Sequence, residues 1–142
     1  MENPFQSFNV EIPKQYAEQI KSFTHTAKDS WEFAPFDRQV DFWYFCFCYA
    51  IKKNLKPQKE KNMSNITFAS ILSTDSYRIQ HIQLAYIGYH ESIEGIADDR
   101  KVFTFAIEMA NAAMPHIFAL LKDADERPIW NLFNFLEEAL KK

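Results

Sequence analysis

A ten-residue run of apolar and aromatic side chains, from Phe42 to Ile51, constrains the fold more than any other segment of the chain. Because apolar residues occupy every side of a helix drawn through the run, it predicts a helix that is buried nearly all round. The run ends directly in residues 52–61, where five of the ten residues are lysine. The junction therefore predicts a buried helix that is followed by a basic loop at the surface.

Length and composition favour one helical domain. A chain of 142 residues lies in the usual size range of a single domain. Its 14 Phe, 6 Tyr and 3 Trp predict a bulky core, and its 2 Gly argue against many tight hairpins or Gly-rich phosphate loops. We predict an all-α domain over residues 1–142: a compact bundle of five or six helices around the aromatic-rich helix, with a short extended N-terminal arm.

Local signals place the first two helices. The arm alternates apolar and polar residues at Phe8, Val10 and Ile12, a short strand-like pattern. Pro13 is suited to open the first helix, because a proline at the first helical position loses no hydrogen bond. Asp37 is predicted to be the N-cap of the second helix, which runs to about Asn54.

Capping residues and prolines place the remaining helices. The cluster Ser73-Thr74-Asp75 is predicted to cap a third helix from about Ser76 to Ser92, with Gly95 marking its end. Its core face is predicted at Ile79, Ile82, Tyr86, Tyr89 and Ile93. Asp98-Asp99 are predicted to cap a fourth helix. Pro115 predicts a kink or a break in the fourth helix near residues 111–114. A fifth amphipathic helix is expected from about Pro128 to the C-terminus.

The charge of the chain is asymmetric. The net charge is −3, but residues 52–61 carry +4, so the other 132 residues carry −7. A protein whose whole surface binds duplex DNA is usually basic. Because the rest of this chain is acidic, we expect any nucleic acid to bind through one basic element. The candidate nucleic-acid-binding residues are Lys52, Lys53, Lys56, Lys59 and Lys61, which could neutralise consecutive phosphates. A solvated loop between helices is the alternative explanation of the same residues.

The cysteines and the N-terminus favour a cytoplasmic protein. Cys46 and Cys48 lie two residues apart, on different faces of a helix, so we expect two buried free thiols and no disulfide. The N-terminus has neither the basic nor the apolar segment of a signal peptide. An apolar run of ten residues is far shorter than the ~20 needed to span a bilayer, so no membrane partner is expected.

Candidate chemistry is sparse. His90 and Glu94 stand one turn apart and could share a metal ion, but two ligands do not make a site, and an exposed polar helix face explains them equally. Arg38 and Asp41 are expected to pair along the second helix, unless one of them faces a subunit contact. We predict no catalytic residue, no metal and no cofactor, and hence no enzyme.

Two segments together resemble a known group of proteins. Phe33–Trp43, followed by the apolar helix and the basic loop, and Ile71–Ile79 are similar to small helical accessory proteins encoded beside bacterial DNA-modification and phage-defence genes, including genes for DNA phosphorothioation. The resemblance covers residues 33–93 and carries no active residue. It implies a nonenzymatic component that works with larger defence proteins or with DNA.

The sequence thus predicts a small accessory or regulatory interaction protein. Its partner would be a larger protein or a second copy of the chain, because so many aromatic residues favour an exposed apolar patch. The alternative function is a nucleic-acid-binding module that uses residues 52–61.

Overall fold

The computed structural model describes residues 3–24, 35–122, 132–133 and 135–138. Strand β1 (Asn9–Pro13) leads through a 3-10 turn into helix α1 (Ala17–Ser22). Helix α2 spans Gln39–Lys52 and strand β2 spans Met63–Phe68. A 3-10 helix, Ala69–Asp75, precedes helix α3 (Tyr77–His90), and helix α4 spans Asp99–Leu121. Residues 132–133 and 135–138 are helical, whereas the predicted start of the last helix near Pro128 lies outside the described residues.

The all-α prediction is wrong, although the described part of the chain is mostly helical. β1 and β2 form a two-stranded antiparallel sheet in which Asn9 pairs with Phe68 and Pro13 with Met63, with an irregularity after Val10. The extended N-terminal arm is therefore not a free arm, because the sheet supplies its backbone hydrogen bonds. The alternation along the arm pointed to a strand, but its partner lies about fifty residues later and shows no clean alternation of buried residues.

The core is centred on α2 and α4. Phe42 of α2 stacks on Phe118 of α4 with ring centroids 5.5 Å apart, and Trp43 meets Phe103 at 5.9 Å. Both α2 residues are fully buried. The predicted aromatic helix is thus a central element, but it is not enclosed on every side, because Cys48 is exposed.

Helix α4 is continuous through Pro115, so the predicted break is absent. Twelve of its residues are buried, and burial of that long apolar face outweighs one lost hydrogen bond at an exposed proline. By length and composition alone, α4 could span a bilayer, with a mean hydropathy of 1.2 over its most apolar window. The share of that window buried inside the fold is 61%, as in the core helix of a globular domain.

The helix starts correct two capping predictions. The N-cap of α2 is Arg38 and not Asp37, because Asp41 reaches back to accept a hydrogen bond from the Arg38 backbone N–H at 3.1 Å. The segment Ser73-Thr74-Asp75 is itself helical, and no side chain caps α3. At α4 the prediction is confirmed, since Asp98 accepts from the Lys101 backbone N–H at 3.1 Å.

Candidate functional site

An open groove of about 590 Å³ runs between α2 and α3. Phe47 and Ile51 of α2 and Leu84, Ala85 and Tyr89 of α3 form its apolar lining. It exists because α2 packs mainly on α4, which leaves the Tyr44–Cys48–Lys52 side of α2 unpacked along part of its length. The groove has the volume of a ligand or side-chain binding site.

The outer face of α3 continues the groove as an exposed row of residues. Tyr77, His81, Leu84 and Gly88 follow each other at spacings of four, three and four, and all four are exposed. We call these four residues the α3 seam. Leu84 exposes 65% of its surface and Tyr77 49%. Such a row on a single helix is the spacing through which one helix packs on another.

This row was not predicted from the sequence. The spacing predicted a core face of α3 at Ile79, Ile82, Tyr86, Tyr89 and Ile93. The first three are buried, whereas Tyr89 is partly exposed and Ile93, which lies beyond the end of the helix, exposes 72% of its surface. The spacing of the α3 seam was readable in the sequence, but its polar and glycine members gave no hydrophobic signal. The predicted end of α3 was also late, because the helix stops at His90 and Glu91 adopts a left-handed conformation with a φ of 53°.

An ion-pair cluster joins the N-terminal ends of α2 and α3. Arg38 donates to Asp41 at 2.8 Å and to Asp75 at 3.1 Å, and Arg78 donates to Asp41 at 3.0 Å. The expected pairing of Arg38 with Asp41 is confirmed, and the cluster adds partners from distant parts of the chain. It ties the N-terminal end of α3 to the N-terminal end of α2.

The contacts of the cluster change the pKa of Asp41 and of Arg78. Burial raises the pKa of Asp41, but hydrogen bonds from Arg38 and Arg78 outweigh it, so the pKa lies below the usual 3.8. Burial opposes the charge of Arg78, yet hydrogen bonds to Tyr77 and Asp41 raise its pKa. Two arginines thus face two carboxylates, so the cluster is a structural joint and not an anion site.

A second polar group borders the groove at Tyr44, His81 and Cys48. The Tyr44 hydroxyl meets His81 Nδ1, and the Arg78 guanidinium lies 4.4 Å from the centroid of the Tyr44 ring. Burial, with smaller contributions from Cys48, raises the pKa of Tyr44 above its usual 10.0. Neighbouring groups desolvate the Cys48 thiol and raise its pKa, although the Tyr44 hydroxyl and Arg78 offset part of that effect.

The cysteine prediction is thus half right. Both thiols are free, and Cys46 is fully buried, but Cys48 lies exposed at the groove. A raised pKa keeps the Cys48 thiol protonated near neutral pH, whereas a nucleophilic cysteine needs the thiolate.

The five lysines predicted to bind nucleic acid do not line one depression. Lys52 lines the α2–α3 groove, and Lys56 lies beside a depression near Pro115 and His116. Lys59 and Lys61 line a different groove of about 620 Å³, which we call the basic groove, and Lys53 lines none of these sites. The loop is held to the core, because the Gln58 N–H donates to the Glu108 carbonyl at 3.0 Å.

The basic groove gains a lysine from outside the loop. Lys14, directly after β1, lines it together with Lys59 and Lys61, and the Lys14 N–H donates to the Asn62 carbonyl at 2.9 Å. Glu60 also lines the groove, so its net charge is +2. The sheet creates this cluster, and no local sequence signal could have revealed it.

The histidine and glutamate considered for a metal site do not lie on one helix face. His90 is the last residue of α3, its Nδ1 lies 2.8 Å from the Tyr86 carbonyl oxygen, and Glu94 follows the helix end. Among the described residues, no three His, Cys, Asp or Glu side chains are grouped closely enough to hold a metal ion.

The groove offers a mostly apolar surface to a partner. Two polar groups beside it have partners within the chain: Asp41 accepts from two arginines, and His81 meets the Tyr44 hydroxyl. Comparison with protein-family models, with curated proteins and with solved structures found no match. The geometry of the α2–α3 groove is therefore the basis for assigning a function.

Proposed function

We propose that this chain is a nonenzymatic interaction protein whose α2–α3 groove and α3 seam receive a helix of another polypeptide. The observation that carries the proposal is the exposed seam at helix-packing spacing beside an apolar groove. A soluble helix usually exposes polar residues on its outer face. The exposed Tyr77 and Leu84 on the outer face of α3 therefore favour burial against another polypeptide. The helix would be supplied by a larger protein or by a second copy of the chain, the two partners that the sequence predicts.

The chemistry of the groove supports a helix as its occupant. Its lining is mostly apolar, and the His81 imidazole at its rim is already engaged by the Tyr44 hydroxyl, so the groove offers side-chain packing more than directed hydrogen bonds. Packing side chains into the space between two helices is how helices associate. The resemblance to accessory proteins of phage-defence gene clusters would place such an assembly in bacterial defence.

Affinity purification with matched variants tests the proposal. The tagged chain is purified, with nuclease treatment, from cells that naturally express it and also carry a second copy with another tag. Leu84→Glu places a charge in the groove, while Phe68→Glu changes a residue of equal exposure, 66%, outside it. We expect a polypeptide that co-purifies with the native chain and with Phe68→Glu after nuclease treatment, but not with Leu84→Glu. A polypeptide that both variants retain would contradict the proposal.

A second candidate function is nucleic-acid binding through the basic groove. The convergence of Lys14 with Lys59 and Lys61 favours it, because three ammonium groups around one depression can neutralise neighbouring phosphates. Loss of all bound polypeptide on nuclease treatment, with sensitivity to Lys59→Glu and Lys61→Glu, would favour this function over the first.

A further inference from the structure

The pattern of the α3 seam is self-complementary. The four residues stand at positions 77, 81, 84 and 88, which are symmetric about the point midway between residues 82 and 83. A second α3 laid antiparallel on the first therefore places Tyr77 opposite Gly88 and His81 opposite Leu84, in both directions at once. That is the requirement of a two-fold interface, in which the same patch faces itself.

We propose that the helix that docks on the α3 seam is α3 of a second copy of this chain, packed antiparallel so that each Tyr77 lies over the Gly88 of the other copy. This proposal rests on the proposed function and names its partner.

Side-chain size supports the pairing. A Cβ atom added to Gly88 would meet nothing within 4 Å, so the surface above this glycine is open. Tyr77 is the largest residue of the seam and exposes 49% of its surface. Large residues opposite small ones let two helices approach closely and fill the space between them.

Charge distinguishes a second copy from a strongly charged partner. The seam contains no carboxylate, ammonium or guanidinium group, and Arg78 beside it is engaged by Asp41. Two identical charged faces would repel each other, whereas the four seam residues meet their own copies without like charges. The neighbouring groove lining adds one cation, Lys52. A charged partner, in contrast, would find no ionic partner on the seam.

The length of α3 sets the strength of the dimer. A 14-residue helix is about 21 Å long, so the interface is small and the dimer is expected to dissociate on dilution. Each α3 also covers the outer part of the other copy's groove, because His81, Leu84 and Gly88 belong to both the seam and the groove lining.

Sedimentation equilibrium of the full chain over a wide concentration range tests the dimer. We expect a monomer–dimer equilibrium, with a dissociation constant raised at least about tenfold by Leu84→Glu and unchanged by Phe68→Glu. Gly88→Gln gives the sharper result. It is expected to raise the melting temperature of the dilute monomer through helix propensity while weakening the dimer, and a folding defect cannot produce that combination. A monomer at every concentration, or a dimer that Gly88→Gln leaves intact, would overturn the proposal.

Disulfide trapping tests the antiparallel direction. In a Cys48→Ser background, Tyr77→Cys together with Gly88→Cys is expected to give covalent dimers on mild oxidation. The two positions lie about 16 Å apart within one helix, too far for an internal disulfide. Tyr77→Cys alone is expected to give no covalent dimer, and a covalent dimer from this single variant would indicate a parallel pair and overturn the arrangement.

The two proposals fail separately. A monomeric chain that still holds some other polypeptide in a Leu84-dependent manner would overturn the second copy and leave the proposed function standing. A dimer that is insensitive to both Leu84 and Gly88, with no Leu84-dependent partner, would overturn both.

Discussion

Among single residues, Asp41 is the carboxylate that contacts both arginines of the ion-pair cluster that joins α2 and α3. Its carboxylate accepts from the Arg38 side chain, from the Arg38 backbone N–H and from Arg78, so one side chain starts α2 and orients α3. The sequence predicted the pair at positions 38 and 41, because three-residue spacing is a local signal. It could not predict Arg78, since a contact across 37 residues depends on the tertiary fold.

Replacing Asp41 with Asn is expected to destabilise the chain by about 2 kcal/mol near pH 7, because two arginines lose a charged acceptor in a partly buried site. The pKa of Asp41 is lowered on folding, so its contribution is present above the unfolded pKa and is lost as pH falls through the folded one. The difference between Asp41→Asn and the native chain should therefore shrink below about pH 4 in urea unfolding curves. The exposed Asp37→Asn is the matched control, and an equal effect there would refute a specific role for Asp41.

The two cysteines should differ in reactivity. Cys46 is fully buried and Cys48 is exposed, so iodoacetamide is expected to label Cys48 alone in the dilute native chain and both cysteines in urea, as read by mass spectrometry. Because the pKa of the Cys48 thiol is raised above the usual 9.0, its labelling rate should still increase as pH passes 9.0. A rate that levels off below that pH, or native labelling in Cys48→Ser, would contradict this interpretation.

At the scale of elements, periodicity predicted α2, α3 and α4 well and their ends less well. The core positions of α3 and the Asp98 cap followed from spacing and from a local hydrogen bond. The break that Pro115 predicted is absent, because the core contacts of the whole helix outweigh the local steric cost of the proline. The Asn111 side chain donates to the Gln58 carbonyl at 3.0 Å, so the turn that precedes the proline is also held by the loop.

Replacing Pro115 is expected to stabilise the chain, because α4 forms in spite of the proline and not because of it. Pro115 is exposed, so Pro115→Ala restores a backbone N–H for the Asn111 carbonyl without disturbing packing, and we expect a stability gain of about 1 kcal/mol or more. Thermal unfolding measures the gain. Ala119→Pro, one turn later and equally exposed, should instead cost about 3 kcal/mol. A destabilised Pro115→Ala would mean that the packing of α4 on α2 needs a bend at this position.

At the scale of the whole molecule, the sheet decides where the charges of the basic loop lie. β2 pairs with β1, so the end of the loop is drawn to Lys14, while the start of the loop remains at the C-terminal end of α2. The sequence treated residues 52–61 as one basic segment, because charge was counted along the chain. The fold distributes the lysines of that segment among different depressions, and long-range strand pairing is the information that local patterns lack.

This separation predicts that equal numbers of lysines will have unequal effects on nucleic-acid binding. If the basic groove binds phosphates, replacing Lys14, Lys59 and Lys61 with Glu should abolish binding of a single-stranded oligonucleotide, measured by fluorescence anisotropy. The native chain should show a salt dependence with a log–log slope of about −2, as expected when three phosphates of a single strand are neutralised. Replacing Lys52, Lys53 and Lys56 with Glu changes the net charge equally but leaves the basic groove intact, so most of the binding should remain. Equal loss of oligonucleotide binding in both triple variants would show that overall charge, and not the groove created by the sheet, attracts the oligonucleotide. If the native chain does not bind the oligonucleotide, the nucleic-acid function is excluded.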